Sequence, residues 1–410
     1  MKVYLSTFGC RANHYDSEVV RAVLERGGAE IVADPSIADT AVFNSCAVTA
    51  EAEADLRRGV RRVARLRPGI RTVVMGCASA RDPEGVRALP GVTVVFAGAG
   101  GARVAAAVGI DASGAPPARQ GGTRALLRIQ DGCDEHCTFC ATTLARGANR
   151  SRPVAELVTE AERLAEHHPE IVLTGVHIGT YGADTGVSLG ALVDGLVRAV
   201  PSVRFRLSSV EATEVDDRLR ERLAAGDGGL TPYLHAPLQS GSDRVLRRMG
   251  RHWYTAASYA CAVERIVRDA SVFGLGADVI AGFPGETEEE HRATHALVSS
   301  LPFTGLHVFP YSVRQGTAAE RLSERVNGND VARRARDLRE LGESCARAYR
   351  ARRAGGAADV VVIGNRAHRS GLTEDDLSVI PTDDALPRGA RVRARLELTD
   401  GVLFARPDPL

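Results

Sequence analysis

The run Arg128-Ile129-Gln130-Asp131-Gly132-Cys133-Asp134-Glu135-His136-Cys137-Thr138-Phe139-Cys140 sets three cysteines behind a short apolar segment, with three and then two residues between sulfurs. An extended chain would hold the outer two sulfurs roughly 23 Å apart, so the loop must curl round whatever all three bind. Soft thiolates select iron-sulfur clusters, zinc or cuprous copper. Structural zinc wants four closed ligands, usually as two CxxC-type halves, and no second half follows. Three thiolates leave one iron of a four-iron cluster open to a small molecule, the arrangement that turns an electron carrier into a catalyst. A zinc knuckle is the competing reading.

Working outward, three more cysteines each end an apolar, strand-like run: Val3-Tyr4-Leu5-Ser6-Thr7-Phe8-Gly9-Cys10, Ala41-Val42-Phe43-Asn44-Ser45-Cys46 and Thr72-Val73-Val74-Met75-Gly76-Cys77. Helical patterns lie between them, so the strands should be parallel with their carboxyl ends along one edge. Open α/β sheets bind ligands outside those ends, and three converging sulfurs suit a second cluster. A single cysteine so placed would read as a small buried hydrophobe; three with the same placement read as ligands.

These residues carry a resemblance. CxxxCxxC with Phe139 before the last cysteine resembles the signature of the radical S-adenosylmethionine (SAM) enzymes, and two triads in this order resemble the methylthiotransferase family over nearly the whole chain. Matching segments are 7–18, 128–133, Leu173-Thr174-Gly175-Val176-His177-Ile178-Gly179-Thr180-Tyr181-Gly182, 207–211, Pro237-Leu238-Gln239-Ser240-Gly241-Ser242, 278–287 and 307–312. Their wording is closest to the MtaB-type branch, which modifies threonylcarbamoyladenosine in tRNA beside the anticodon. The resemblance implies two 4Fe-4S clusters, one on Cys133, Cys137 and Cys140 and an auxiliary one on Cys10, Cys46 and Cys77. At the first, the amino and carboxylate groups of SAM would chelate the open iron, and a 5′-deoxyadenosyl radical would abstract hydrogen. The second would hold or deliver sulfur, while a second SAM supplies the methyl group. Implied partners are a tRNA substrate and an electron donor such as flavodoxin or ferredoxin, with the sulfur donor left open. Two departures stand out: Ala141-Thr142-Thr143-Leu144-Ala145-Arg146 replaces an apolar pair and Pro-Tyr before the arginine, and the stretch between Met249 and Tyr254 is one residue longer than usual.

The 410 residues have room for two or three domains. A formal charge of +1 means that nucleic-acid affinity must come from local patches. Lys2 is the only lysine, which excludes a Schiff-base or Walker-type lysine in the folded interior and leaves arginine, the better bidentate phosphate ligand. No apolar run approaches the length of a membrane-spanning helix, and the start does not read as a signal peptide, because Arg11, Asp16 and Glu18 interrupt it. A cytoplasmic, reducing compartment is expected, with no membrane partner. Cys261 and Cys345 fall in helical patterns, where a packing role is expected.

The expected architecture is α/β: an N-terminal parallel α/β domain over residues 1–110, a partial (β/α)6 TIM-like barrel over 123–354, and a small C-terminal β-barrel over 357–410 that resembles the RNA-binding TRAM domain. Residues 111–122, rich in Gly, Ala and Pro, read as a linker. Barrel strands are predicted at 125–129, 171–174, 204–207, 233–236, 273–280 and 304–309, with a long helix over 330–353. Chemistry in such barrels sits at the carboxyl ends of the strands. Gly175 there would let the methionine moiety approach the backbone, Ser209 and Gln239 would offer hydrogen bonds, and Ile280 and Phe139 would supply apolar surface to SAM. In 391–398, alternation turns Val392, Ala394, Leu396 and Leu398 inward and Arg391, Arg393 and Arg395 outward, about 7 Å apart, a row able to follow a phosphate backbone. A solvated face is the alternative. Arg146, Arg150 and Arg152 are further RNA-contact candidates. No catalytic side chain is nominated beyond the cluster ligands.

The leading expectation is insertion of a methylthio group at C2 of N6-threonylcarbamoyladenosine. Within the family, isopentenyladenosine in tRNA or an aspartate of a ribosomal protein are alternative targets. A non-catalytic, metal-stabilised RNA-binding protein is the reading from another class.

Overall fold

The computed structural model describes residues 1–47, 50–98, 100–110, 118–364 and 368–408. Residues 111–117 of the expected linker lie outside them.

Five strands open the chain: β1 (Lys2–Thr7), β2 (Glu30–Val32), β3 (Thr40–Ser45), β4 (Arg71–Gly76) and β5 (Val92–Val95), all parallel in the order β2-β1-β3-β4-β5. The apolar runs of the central strands β3 and β4 are buried on both faces, as the middle of a parallel sheet requires. Helices Arg11–Arg26 and Gly101–Ala107 pack Val20, Val23, Leu24 and Val104 on one face, and helix Ala50–Leu66 packs Leu56, Val60 and Val63 on the other. The strand order reverses between β1 and β3, so a crevice opens at their carboxyl ends.

The second unit begins with β6 (Ala125–Arg128), followed by a two-stranded ribbon of β7 (Gln130–Asp131) and β8 (Arg150–Ser151), which closes the base of the cysteine loop. Then come β9 (Glu170–Thr174), β10 (Arg204–Leu207), β11 (Tyr233–His235), β12 (Gly274–Ala281) and β13 (Gly305–Pro310). These form two parallel three-stranded sheets, β6-β9-β10 and β11-β12-β13, joined by single bridges Phe205–Leu230 and Ser209–His235. The six strands fall where the sequence expects them. The long helix runs Gly328–Arg353.

Beyond it β14 (Ala357–Val362), β15 (Gly371–Thr373), β16 (Ser378–Pro381), β17 (Arg391–Thr399) and β18 (Val402–Pro407) close into a barrel in the order β14-β15-β16-β18-β17. Ala394 and Leu396 point into its core, but Leu398, expected inward, is 36% exposed. The reason is register: β14 pairs with β17 only over 391–395, and beyond that β17 and β18 continue as a hairpin past the barrel wall. Cys261, expected to pack, is also exposed on its helix, whereas Cys345 is half-buried.

A buried ionic knot joins the two barrels. Glu170 accepts from Arg204 and from Arg206 Nε at 2.9 Å. Arg204 also donates to the Leu372 carbonyl and Arg206 to the Thr373 carbonyl, each at 2.9 Å. Burial opposes the charge on Glu170, but Arg206 and Arg204 hold its carboxyl well below the ordinary range.

Candidate metal centre

Cys10 stands at the amino end of helix Arg11–Arg26, Cys46 follows β3 and Cys77 follows β4, so all three reach the same sheet edge. Packing at that edge is close. Gly9, at φ 97°, would put a Cβ 2.3 Å from the Cys46 sulfur, so only glycine fits there. Fully buried Asn13 stitches the three loops together: its amide donates to the Phe8 carbonyl at 2.9 Å and the Ser45 carbonyl at 2.8 Å, and its Oδ1 faces the Cys77 sulfur at 3.6 Å. Burial pushes the Cys77 thiol up to about 11, against the opposing pull of Arg146.

In the barrel, the ordered loop after β7 carries the other triad. The Cys133 amide donates to the Gly147 carbonyl at 3.0 Å, and Thr138 joins Met249 and Ala319 by backbone bonds of 2.8 and 2.7 Å. Each sulfur has a polar neighbour: His177 Nδ1 at 3.6 Å from Cys133, Arg251 at 3.4 Å from Cys137, and the Thr142 amide at 3.4 Å from Cys140. Burial raises the Cys137 thiol to about 12, opposed by Arg251. His177 rises to about 10 because hydrogen bonds to Cys133 and Glu214 outweigh the cost of burial.

A single zinc ion would draw thiolates to about 3.8 Å of one another. Among the described residues, the three-residue groups whose donor atoms lie within 4.8 Å are His235/Asp278/His307 and His177/Glu211/Glu214, and neither cysteine triad is one of them. Three thiolates in each set, with N–H donors aimed at sulfur, fit an iron-sulfur cluster.

Arg146 connects the triads. Its Nε donates to the Cys77 sulfur at 3.3 Å, and its terminal nitrogens bind Asp131 at 3.0 Å, Asn13 at 2.7 Å and Asp16 at 2.7 Å. Asp131 lies two residues before Cys133. Only 7% of the Arg146 side chain is exposed and four of its five N–H donors are engaged within the protein, so the expected RNA contact is corrected to a bridge between domains.

Gly175 lies just past β9, and a Cβ there would sit 2.7 Å from the Gln130 carbonyl oxygen. Ser209 follows β10, bridged to His235. Gln239 follows β11 with φ 62°, its carbonyl taking the Ile280 amide at 2.9 Å. Phe139 packs against Ile280, Met249 and Phe283. The pocket candidates thus gather at the carboxyl ends of the strands. Sequence reasoning missed Arg251, Trp253, Glu211, His177 and Asn13. Arg251 pairs with Glu211, which also accepts from Trp253, and stacks 4.8 Å from the Trp253 ring. The lengthened stretch 249–254 was the available signal for Arg251 and Trp253, and the matching segments 7–18, 173–182 and 207–211 were the signal for Asn13, His177 and Glu211.

A family described as "Uncharacterized protein family UPF0004" matches residues 2–98, and "Radical SAM superfamily" matches residues 127–298. The threonylcarbamoyladenosine tRNA methylthiotransferase MtaB of Bacillus subtilis is 35% identical over 85% of this chain and 81% of its own. The MtaB protein of Thermotoga maritima is 32% identical over 85% and 84%. The chain belongs to the radical SAM methylthiotransferases. The tRNA-2-methylthio-N(6)-dimethylallyladenosine synthase of Neisseria meningitidis is 34% identical to this methylthiotransferase over 84% of each chain. Among solved structures, the radical SAM methyltransferase TsrM of Kitasatospora setae shares the fold, with TM-score 0.59 and 16% identity over 78% of this chain and 77% of that one.

The remaining arginines of this methylthiotransferase divide by burial. Arg152 is held by Glu160 at 2.8 Å and by the Arg128 carbonyl at 2.9 Å. Arg391 is paired with Asp359 at 2.8 Å and donates to the Gly228 carbonyl at 3.0 Å, across the seam between the barrels. Arg150, Arg393 and Arg395 are exposed. In the outward row Arg391 is held at the seam, whereas Arg393, 3.9 Å from Asp408, and Arg395, which donates to the Gly355 carbonyl at 3.1 Å, stay exposed.

Proposed function

We propose that this methylthiotransferase inserts a methylthio group at C2 of N6-threonylcarbamoyladenosine next to the anticodon of tRNA. The observation that carries the reading is the Arg146 bridge, which ties the auxiliary triad through Cys77 to the barrel triad through Asp131. Radical formation and sulfur delivery must act on one carbon, and two sites sharing a side chain suit that. When bound, the clusters and SAM supply reductive cleavage, hydrogen abstraction, sulfur and a methyl group.

Cys133, Cys137 and Cys140 would hold the first cluster and Cys10, Cys46 and Cys77 the second, within working units 1–110, 123–354 and 357–410. The donors from Arg251, Thr142 and Arg146 would tune cluster potential, as hydrogen bonds to sulfur do. Phe139 and Ile280 would wall the SAM site, Gly175 would admit its methionine end, and Ser209 and Gln239 would orient it. Arg150, Arg393 and Arg395 would contact RNA phosphates. Among the described residues no helix is long and apolar enough to cross a membrane. A tRNA substrate would place the enzyme in the cytoplasm, and reductive cleavage of SAM would need an electron donor such as flavodoxin or ferredoxin.

Mass spectrometry of tRNA nucleosides from a deletion strain tests the assignment, which expects loss of 2-methylthio-N6-threonylcarbamoyladenosine. The Neisseria relative supports isopentenyladenosine as the second reading, and loss of its methylthio derivative would favour that one.

A further inference from the structure

A recess of about 400 Å³ opens where the three domains meet. Arg11 and His14 of the first domain line it, with Glu18, Arg124 and Arg388. Two of its arginines have partners: Arg124 binds Glu170 at 3.2 Å, and Arg388 donates to Thr123 at 2.6 Å and the Gly121 carbonyl at 3.1 Å. The acid among these residues, Glu18, is taken by Arg21 at 3.3 Å and by the Gly121 amide at 3.1 Å.

Arg11 is different. Its side chain makes no hydrogen bond or ion pair among the described residues. It is open to solvent yet surrounded by protein, so its guanidinium stands in a wet recess, not on an outer face. Arg124, Arg206, Tyr233 and Asp376 face it from both barrels. Asp376 is itself bound by Arg206 at 3.1 Å. The recess therefore carries excess positive charge directly beside Cys10.

We propose that Arg11 is a specificity-determining residue that binds the free carboxylate of the threonylcarbamoyl substituent on the target adenosine. The inference rests on the substrate reading above and adds the group that would read it. Joining threonine through its nitrogen leaves the α-carboxylate ionised at neutral pH, since such groups titrate near 3.5. An alkenyl substituent has no such charge. Placing a carboxylate among protein groups without a cation is costly, whereas a guanidinium meets it with two parallel donors. Because Arg11 adjoins Cys10, the same contact would hold the substituted ring beside the auxiliary triad.

The test compares reconstituted wild type and Arg11→Ala on tRNA carrying N6-threonylcarbamoyladenosine and on the same tRNA with that carboxylate methyl-esterified. For wild type, kcat/KM should favour the acid by roughly 10- to 150-fold, the range for a hydrogen bond to a charged group. In Arg11→Ala the acid-to-ester ratio should fall to near one, a ratio independent of how much of the variant holds clusters. Arg11→Lys should retain part of it, which keeps the test alive if the alanine variant does not assemble. Wild type acting equally on acid and ester, or Arg11→Ala keeping the wild-type ratio, overturns the proposal and leaves the substrate reading intact; a phosphate contact at Arg11 would give that second result. Wild type inactive on both but active on isopentenyladenosine tRNA would overturn the substrate reading, and the proposal with it.

Discussion

The two cysteine triads reach similar ends by opposite routes. Cys133, Cys137 and Cys140 lie within eight residues of one loop, and that loop is closed at its base by the β7–β8 ribbon. Cys10, Cys46 and Cys77 come from three strands and converge only because a parallel sheet gathers its carboxyl ends. The first triad is local and survives as long as its loop does. The second depends on the register of β1, β3 and β4, and on Asn13 and Arg146 as ties. The difference predicts which perturbations act on one triad and which on both.

The sharpest division comes from the cysteines themselves. Any of Cys133→Ala, Cys137→Ala or Cys140→Ala should abolish reductive formation of 5′-deoxyadenosine, measured by chromatography after anaerobic reconstitution. Cys10→Ala, Cys46→Ala or Cys77→Ala should keep that reaction and lose methylthio insertion, with iron falling from about eight to about four per chain. Full methylthiolation with unchanged iron in the second set would break the comparison.

Arg146→Ala should disturb the nonlocal triad more than the local one. It removes a partner from Asp16, whose side chain is 2% exposed, although Arg128 still pairs with that carboxylate. Losing one partner of a buried pair costs about 3–5 kcal/mol, with the surviving Arg128 pair favouring the low end. Thermal unfolding should show the loss, and iron retention after desalting should fall at the auxiliary site first.

Glu170→Gln tests the knot between the two barrels, which contains none of the six cysteines. The folded carboxyl titrates below its unfolded value, so its contribution is fully present above about pH 4.5 and is lost as pH falls toward the folded value. The variant should be less stable at neutral pH, and its stability should decline less steeply below pH 4.5. Denaturant unfolding at pH 7 and pH 3.5 measures both.

The smallest effects belong to the arginine row. Arg393→Ala with Arg395→Ala should leave stability within about 0.5 kcal/mol. It should lower the log-log salt slope of tRNA binding by roughly 0.7 to 0.9 per lost contact. An unchanged slope would assign these side chains to solvation alone. Arg391→Ala should destabilise the seam with Gly228 instead.

How much could be read from sequence follows the same contrast. The local triad was legible because its spacing is written in consecutive residues, and the six barrel strands because apolar runs alternate with helical patterns. The second triad was legible through its repeated placement at strand ends. Partnerships were not. Nothing in Ala141-Thr142-Thr143-Leu144-Ala145-Arg146 tells that its arginine turns inward to Asp16, 130 residues away. Nor does the alternation through Leu398 tell that β14 stops pairing at residue 395. Those outcomes depend on which surface arrives opposite, which is a property of tertiary register.

The knot of Glu170, Arg204 and Arg206 has a consequence for how an RNA would be gauged. Swinging the small barrel away would strip two buried guanidiniums of carbonyls from Leu372 and Thr373. The span from the exposed arginines of β17 to the recess at Arg11 is thereby held like the jaws of a caliper locked at one setting. If the proposed contacts at Arg393, Arg395 and Arg11 hold, an anticodon arm would have to match that setting, with its backbone on one jaw and its modified base on the other, and a short oligonucleotide carrying the same base would meet only one of them.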